Sequence, residues 1–355
     1  MLAAGALVPA VLMATTASAS AASGTVTVTT LDRAGAKVPT SLTVVNVSTN
    51  VVYSAWSGKA KSLPKGTYAI LAGIRTGKDG SDTVGAAVLA VSGKKSVTID
   101  ARKGKALRYS LDKNPAGVEA EMQAHLCTAD TSQGVSVSNA AGKLFVIPNG
   151  SKHVRSHLGA FWNGGTGEQW IVSTSQSTIP SGLTRTVKRS SLATLTSYVK
   201  RGVAGGRESN IALVGNGASC RTGLRFFLDQ KQAPFVLKTH VPAGKWDVEA
   251  STYGTERDGN FATLGNQWTT RTFAAGKSYG QSFFRSAWGP GVNRPRIFDD
   301  GIGFQVDGMF TDPGFGWAGS PGGECCTKAT VTLSRSGKVI KKQNRTDWAS
   351  YDTAN

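Results

Sequence analysis

Apolar and polar residues alternate with a period of two along most of this chain, which is typical of β-strands that bury one face. In residues 25–56, the first such stretch, the turn sequences DRAG and STN interrupt the alternation at short intervals. Residues 24–113 contain about seven segments of this kind, the density of a small β-sandwich. Strand-like segments resume at Cys127 and continue towards the C-terminus. We therefore predict an all-β protein, with a small β-sandwich followed by a larger β-sandwich region that forms either one large or two small sandwiches.

Two stretches depart from this pattern and are predicted to contain short helices. Residues 114–126, NPAGVEAEMQAHL, begin with an Asn-Pro boundary signal and are predicted to be a linker with a short helix. In residues 190–202, SSLATLTSYVKRG, four apolar residues share one helical face, with serine as a cap and glycine as a terminator: Leu192, Leu195, Tyr198 and Val199. The predicted segments are a signal peptide, a first sandwich, a linker, a β-rich domain with a short helix and a final sandwich domain, over residues 1–22, 24–113, 114–126, 127–204 and 205–355.

One short motif occurs twice, as LPKGTYAI in residues 63–70 and as VPAGKWDV in residues 241–248. In each copy a proline enters a strand, a glycine permits a tight turn, and an aromatic residue follows two positions later. The alternation after the glycine directs Tyr68 and Trp246 inward. We predict that both copies are structural and carry no chemistry.

The first residues have the features of a secretory signal peptide. An apolar run from Leu2 to Ala14 precedes small residues with A-x-A cleavage patterns. No later stretch approaches 18 consecutive apolar residues, so the sequence predicts no membrane span. We predict a secreted protein that is extracellular or associated with the cell wall.

The four cysteines fit a secreted protein with two disulfides, for which three pairings exist. A bond between the neighbours Cys325 and Cys326 would close a very small ring. The sequence therefore favours a bond from Cys127 to one of the two neighbours and from Cys220 to the other.

The net charge of +18 is spread along the chain rather than concentrated in a tail. Such a charge favours polyanions, so the predicted partners are an extracellular polyanion, a polysaccharide or a secreted protein. A specific nucleic-acid partner is not favoured, because Lys and Arg do not alternate with aromatic residues as in stacking grooves.

Three tryptophans are candidates for a sugar-binding platform, within FWNGGTGEQW and GFGW: Trp162, Trp170 and Trp317. Aromatic rings can stack on sugar faces, although most tryptophans of β-sandwiches lie in the core with the indole N–H hydrogen-bonded. The platform and the core position remain alternatives at this stage.

Four carboxylates among glycines, in FDDGIGFQVDGMFTDPGFG, are candidate ligands of a structural calcium ion: Asp299, Asp300, Asp307 and Asp312. Their spacing does not match an EF-hand, and ordinary Asp-Gly turns are favoured over calcium. His153 and His157 are four residues apart, but the glutamate of an HExxH motif is absent, so no metal is assigned to them. No other cofactor is predicted.

The segments VTTLDRAGAKVPTSLTVVN, LPKGTYAILAGIRT, IPSGLTRTVKRSSLATLTSYVKRG, VPAGKWDVEASTYG and RSAWGPG occur in an order that resembles the C-terminal accessory region of secreted actinobacterial subtilisin-like serine peptidases. This resemblance covers nearly the whole chain after the signal peptide. It implies a prealbumin-like or immunoglobulin-like β-sandwich followed by a further β-rich region. The catalytic sequences of such peptidases, with His-Gly-Thr and Gly-Thr-Ser-Met-Ala, are absent, so the resemblance implies architecture and not peptidase activity.

These observations favour a secreted, non-catalytic adhesion or binding module for cell-wall, polysaccharide or protein surfaces. The alternative is a secreted hydrolase related to subtilisin-like peptidases, with its catalytic domain lost or encoded upstream. A third interpretation is a partner or inhibitor of a secreted peptidase.

Overall fold

The computed structural model describes residues 23–128, 134–164, 167–200, 206–215, 220, 223–228, 231–255, 261–285, 289–290, 296–298, 301–303, 310–311, 317–318 and 329–345. The predicted signal peptide, the four candidate calcium ligands and the two adjacent cysteines lie outside these residues: 1–22, Asp299, Asp300, Asp307, Asp312, Cys325 and Cys326.

The described residues form thirty strands, numbered in chain order. The first twelve are β1 Ser23–Leu31, β2 Ser41–Asn46, β3 Val52–Trp56, β4 Ala60–Pro64, β5 Gly66–Arg75, β6 Asp82–Val91, β7 Lys94–Asp100, β8 Lys105–Ala106, β9 Arg108–Leu111, β10 Ala120–Cys127, β11 Gly134–Ala140 and β12 Leu144–Val146. The next eleven are β13 Arg155–Asn163, β14 Glu168–Gln176, β15 Thr184–Val187, β16 Ala193–Val199, β17 Gly206–Gly215, β18 Arg225–Phe227, β19 Lys231–Gln232, β20 Phe235–Val241, β21 Gly244–Thr255, β22 Phe261–Phe273 and β23 Ser278–Phe283. The last seven are β24 Gly289–Pro290, β25 Arg296–Phe298, β26 Gly301–Gly303, β27 Phe310–Thr311, β28 Trp317–Ala318, β29 Ala329–Arg335 and β30 Lys338–Arg345.

Most of these strands belong to four sheets. The first sheet has the order β4-β1-β7, and the second β3-β2-β5-β6-β12-β8. The third sheet has the order β11-β10-β13-β14-β20-β16-β23, and the fourth β18-β17-β21-β22-β28, with β19 also paired to β17. The prediction of an all-β sandwich fold is therefore confirmed.

Three hydrophobic cores connect the four sheets. The first core takes residues from the first and second sheets, such as Val28 and Ile70. The second core joins the second and third sheets, with Leu71 and Leu158 among its members. The third core joins the third and fourth sheets and includes Phe226. The second and third sheets therefore bury side chains on both faces.

Strand β13 shows how the sequence supports a sheet that is buried on both faces. Leu158, Ala160 and Trp162 lie in the second core, whereas Phe161 lies in the third. Gly159 keeps the third-core face flat, because a β-carbon there would lie 2.9 Å from Phe226 Cζ and 2.9 Å from the carbonyl oxygen of Val172. A nearly continuous run of apolar and small residues is what such a strand requires.

The repeated proline–glycine–aromatic motif plays the same structural role in both copies. The hydroxyl of Tyr68 donates to the carbonyl oxygen of Pro64 at 2.9 Å, and the indole N–H of Trp246 donates to that of Pro242 at 3.0 Å. Each ring is buried, Tyr68 in the first core and Trp246 in the third. The inward direction predicted for both aromatic residues is confirmed.

Both predicted helices are wrong. Residues 114–126 contain all of β10 except its last residue, and Met122, Ala124 and Leu126 enter the second core at a spacing of two. Residues 193–199 form β16, and Leu195 and Val199 face the third core. A period of two is followed by the buried apolar residues of β10 and, in β16, by Ala193, Leu195 and Val199. Pairing with neighbouring strands selects the extended conformation over helix propensity. Among the described residues, helical structure is limited to two 3-10 turns, Ala101–Lys103 and Arg189–Ser191.

Strand pairing crosses the predicted borders between segments. β12 pairs in parallel with β6 of the second sheet, and β15 pairs in parallel with β9. The second core likewise combines residues from 69–111 with residues from 120–192. No helix of the described chain is long and apolar enough to cross a membrane.

Candidate functional site

A row of polar and aromatic side chains crosses the third sheet at one level. Trp162 pairs with Trp170, Trp170 with His240, His240 with Thr194, and Thr194 with Ser278. Residues that face each other on paired strands project from the same face of a sheet. Trp162 and Trp170 belong to the second core, so His240 and Thr194 lie on the same face as that core.

Glu168, His240 and Thr194 form a continuous hydrogen-bonded chain. The Nε2 atom of His240 lies 2.7 Å from Oε1 of Glu168, and its Nδ1 atom lies 3.1 Å from Oγ1 of Thr194. An ionised carboxylate only accepts hydrogen bonds, so the proton of a neutral imidazole lies on Nε2. Nδ1 then accepts the hydrogen bond from the threonine hydroxyl.

Trp170 joins this chain to a positive charge. Its ring stacks on the imidazole of His240, with centroids 5.4 Å apart and planes 13° from parallel. The guanidinium of Arg189 lies 4.9 Å from the centroid of the indole, within the range of cation–π interaction. The backbone N–H of Arg189 donates to Asp112 Oδ1 at 3.0 Å, which fixes the 3-10 turn that carries the arginine.

These side chains line a cleft with a volume of about 380 Å³. Its lining residues come from β14, β16, β20, the turn after β15 and the turn before β23: Glu168, Trp170, Arg189, Ser190, Leu192, Thr194, His240 and Gly276. This volume is within the usual range of small-ligand sites. The cleft contains one carboxylate, one guanidinium, one imidazole and two hydroxyl groups, so it presents both hydrogen-bond donors and acceptors to a polar ligand.

The order of hydroxyl, imidazole and carboxylate in the cleft is also that of hydrolase triads. A nucleophile needs nearby backbone N–H groups that stabilise the oxyanion. The N–H of Thr194 already donates to the carbonyl oxygen of Lys277 at 2.8 Å, and β16 is paired on both sides, with β20 and β23. The backbone N–H of Thr194 therefore already has a partner and does not offer a hydrogen bond to an oxyanion.

A second polar cluster is buried between the third and fourth sheets. His125 and His157 face each other on β10 and β13, and Cys127 is bonded to Cys220 beside them. The Nδ1 atom of His157 accepts the backbone N–H of Leu224 at 3.0 Å. Burial lowers the pKa of His125, and burial together with the neighbouring His125 lowers the pKa of His157 to about 4.

The depressed pKa of His157 predicts a loss of stability in mild acid. The unfolded chain takes up this proton near the ordinary value of 6.5, and the folded chain only near 4. The free energy of unfolding therefore falls as the pH drops from about 6.5 to about 4, by about 3 kcal/mol from this group. The measurement is urea unfolding of the parent and His157→Asn at several pH values in this window.

His157→Asn keeps an acceptor for the Leu224 N–H but cannot titrate. We expect the parent to be the more stable protein at neutral pH and to lose most of that advantage at pH 4. An advantage that stays constant across the window would contradict the prediction, because carboxylates titrate in both proteins and cancel from the difference.

The predicted site residues occupy different environments. Trp162 is 1% exposed and packs in the second core, so its position gives no support to a ligand platform. Trp170 is 7% exposed and lines the cleft. Trp317 pairs with Trp268 at the edge of the fourth sheet. The calcium hypothesis concerns residues outside those described.

The favoured disulfide pairing is wrong, because Cys127 is bonded to Cys220. Cys127 ends β10 in the third sheet, and Cys220 lies between β17 and β18 of the fourth sheet. Packing of these two sheets brings the cysteines together, although 93 positions separate them in sequence. Spacing along the chain contains no such information.

No protein-family model matches the chain, and no curated protein matches it. Among solved structures, a leucine-rich repeat protein from Bacteroides thetaiotaomicron is similar at 11% identity and a TM-score of 0.17, over 74% of this chain. The chain spans 26% of that protein. The major pilin subunit BcpA of Bacillus cereus is similar at 9% identity and a TM-score of 0.19, over 74% of this chain and 99% of the pilin. Scores of this size do not establish a common function.

Proposed function

We propose that this protein is a secreted, non-catalytic binding module that holds an acidic sugar unit of an extracellular polysaccharide in the cleft of the third sheet. The observation that carries the proposal is the guanidinium of Arg189 on the face of Trp170, beside the Glu168–His240–Thr194 chain. The guanidinium can bind a carboxylate or phosphate group through two parallel hydrogen bonds. Glu168 and Thr194 offer partners for sugar hydroxyls.

The position of the cleft supports binding without large rearrangement. Trp170, His240 and Thr194 project from adjacent strands of a sheet that is packed on both faces. Groups held by such a scaffold lose little freedom when a ligand binds, which favours affinity. The net charge of +18 would attract an anionic polymer before the cleft is engaged.

The secreted location is part of this proposal. The apolar and small residues of positions 1–22 support a signal peptide, and the Cys127–Cys220 disulfide suits an oxidising compartment. Descent from the accessory region of a secreted subtilisin-like peptidase, with a prealbumin-like first sandwich, is proposed on the sequence resemblance alone.

The binding proposal is tested by sedimentation with insoluble acidic polysaccharide, such as cross-linked polygalacturonate, with cellulose and chitin as neutral polymers. Arg189→Ala should weaken binding to the acidic polymer by roughly 10-fold or more, because a charge-assisted hydrogen bond contributes about 1.5–3 kcal/mol. Arg185→Ala is the matched control: this arginine lies on β15, is exposed, and does not line the cleft. It removes the same charge and should change binding by less than about 2-fold.

The salt dependence of binding distinguishes binding in the cleft from attraction by the overall charge of the protein. At high salt, association through the overall charge is screened, and the difference between the two arginine variants should persist. Equal weakening by both variants would assign the binding to diffuse charge and overturn the cleft as its site. Failure of the parent to bind any of the three polymers would overturn the proposed function.

The hydroxyl–imidazole–carboxylate order of Thr194, His240 and Glu168 favours hydrolysis as the second candidate function. A fluorophosphonate probe tests it directly. Labelling of the parent that is lost in both Thr194→Val and His240→Gln would establish a nucleophilic hydroxyl. Absence of labelling in the parent would leave ligand binding as the role of the cleft.

A further inference from the structure

We infer that Cys127, Cys220 and His125 form a zinc-binding site when the disulfide between the two cysteines is reduced. This inference is independent of the cleft and of the proposed function. The site lies between the third and fourth sheets, where β10 supplies Cys127 and His125 and the segment between β17 and β18 supplies Cys220.

The three side chains have the chemistry that zinc binds and lie close together, and the two sulfurs, which are bonded to each other in the disulfide, separate on reduction. Their candidate ligand atoms, two sulfurs and one imidazole nitrogen, all lie within 4.8 Å of one another. Zinc binds thiolate at about 2.3 Å and imidazole at about 2.0–2.1 Å, so its ligands stand roughly 3.5–4 Å apart. Thiolate and imidazole ligands favour zinc over calcium or magnesium. Three protein ligands leave the fourth tetrahedral position for water or another donor.

His125 provides the second, independent observation. Its side chain is only 5% exposed, and its Nε2 atom has no hydrogen-bond partner among the described residues. A buried polar atom without a partner costs free energy, and a metal ion would supply that partner. The Nδ1 atom lies 2.7 Å from Oγ of Ser136. This contact orients the ring in the way that outer hydrogen bonds orient histidine ligands of metals.

The neighbourhood of the ring also fixes its position. A β-carbon at Gly134 would lie 2.5 Å from Cε1 of His125 and 2.9 Å from its Nε2. The bare backbone of Gly134 therefore packs directly against the imidazole. His157, the cross-strand neighbour of His125, uses Nδ1 to accept the Leu224 N–H, so its remaining nitrogen carries the proton and is not a ready ligand.

Formation of the zinc site takes two chemical steps, reduction of the disulfide and binding of the metal. A phosphine and one water molecule reduce the disulfide: the sulfur–sulfur bond breaks, two thiols form, and the phosphine becomes its oxide. Zinc then binds both thiolates and displaces two protons. The metal would join the same two segments that the disulfide joins, so the third and fourth sheets remain linked.

Cobalt is the probe, because its complexes with thiolates absorb strongly. The experiment uses the full chain with Cys325→Ser and Cys326→Ser, so that only the two thiols of the site remain. After reduction by phosphine and anaerobic removal of the reagent, one equivalent of Co²⁺ should produce thiolate-to-cobalt charge transfer and the visible bands of four-coordinate cobalt. Zinc should displace cobalt and abolish these bands. The oxidised protein should show none of them.

The His125→Ala variant should bind cobalt roughly 10-fold or more weakly, the smallest loss expected for a direct ligand. His153→Ala is the matched control, since His153 lies in the turn before β13 and outside the site. The affinity of this variant for cobalt should equal that of the parent protein. Circular dichroism of each reduced variant monitors folding, and the thermal midpoint of the reduced parent should rise with zinc.

Three results would overturn the inference. The first is a reduced parent protein that binds no cobalt. The second is an oxidised parent protein that binds cobalt as strongly as the reduced one does. The third is a His125→Ala variant that binds cobalt as tightly as the His153→Ala variant. If His125→Ala loses its β-structure on reduction, His125→Gln replaces it, with the same expectation of weaker binding.

Discussion

Replacement of Trp162 by alanine is expected to lower the free energy of unfolding by about 4 kcal/mol. Trp162 is among the largest fully buried side chains of the described chain, and its ring fills the second core. Truncation of a buried tryptophan removes the transfer free energy of the ring and leaves a cavity, which together cost about 3–5 kcal/mol. The third sheet is packed on its other face by Phe161 and its neighbours, so it cannot easily collapse into the space.

The matched control is Trp56→Ala. Trp56 ends the edge strand β3 and is 59% exposed, so its loss should change stability by less than about 0.5 kcal/mol. Urea unfolding of the parent and both variants measures the difference. Similar losses for the two tryptophans would contradict the burial of Trp162 between the second and third sheets.

Removal of the disulfide, by Cys127→Ala together with Cys220→Ala, should cost a similar amount. The bond closes a loop across 93 positions of the sequence, and the chain-entropy relation gives about 4–5 kcal/mol for a loop of this length. Both cysteines are replaced so that no single thiol remains to react with Cys325 or Cys326. Both cysteines are buried, and alanine introduces no polar group in their place.

Denaturant unfolding under oxidising conditions measures this loss, and the reduced parent without metal provides the comparison. The free energy of unfolding of the double variant should not change through loss of this bond when reductant is added, and it should be close to that of the reduced parent protein. A double variant as stable as the oxidised parent would contradict the link between the third and fourth sheets that the structure shows.

The sequence predicts the class of this fold well, because the dominant signal is local. Alternation with a period of two specifies strands, and the proline–glycine–aromatic motif specifies two strand entries whose rings are buried, as Tyr68 and Trp246 confirm. The two wrong helix predictions arise where the apolar residues fit both the helical and the extended period. In β10 and β16 the apolar residues satisfy helical and extended spacing, and the decision depends on partner strands that are distant in sequence.

The candidate cleft could not be predicted from the same information. Trp170 and His240 are adjacent only because β14 pairs in parallel with β20, seventy residues further along the chain. Thr194 joins them through the antiparallel pairing of β16 with β20. Neither His240 nor Thr194 lies in a recognisable catalytic or binding motif. The disulfide was mispredicted for the same reason, since its pairing depends on how two sheets pack.

The burial of the third sheet on both faces has a consequence for how the chain reaches its native state. Its strands come from residues between 120 and 283, and the last of them, β23, pairs with β16 in the parallel sense. The third sheet is therefore complete only after most of the polypeptide has been synthesised. Until then the second sheet, with Leu71 and Val84 on its inner face, exposes apolar surface to water. Long-range pairing of this kind makes folding slow and leaves early intermediates prone to association.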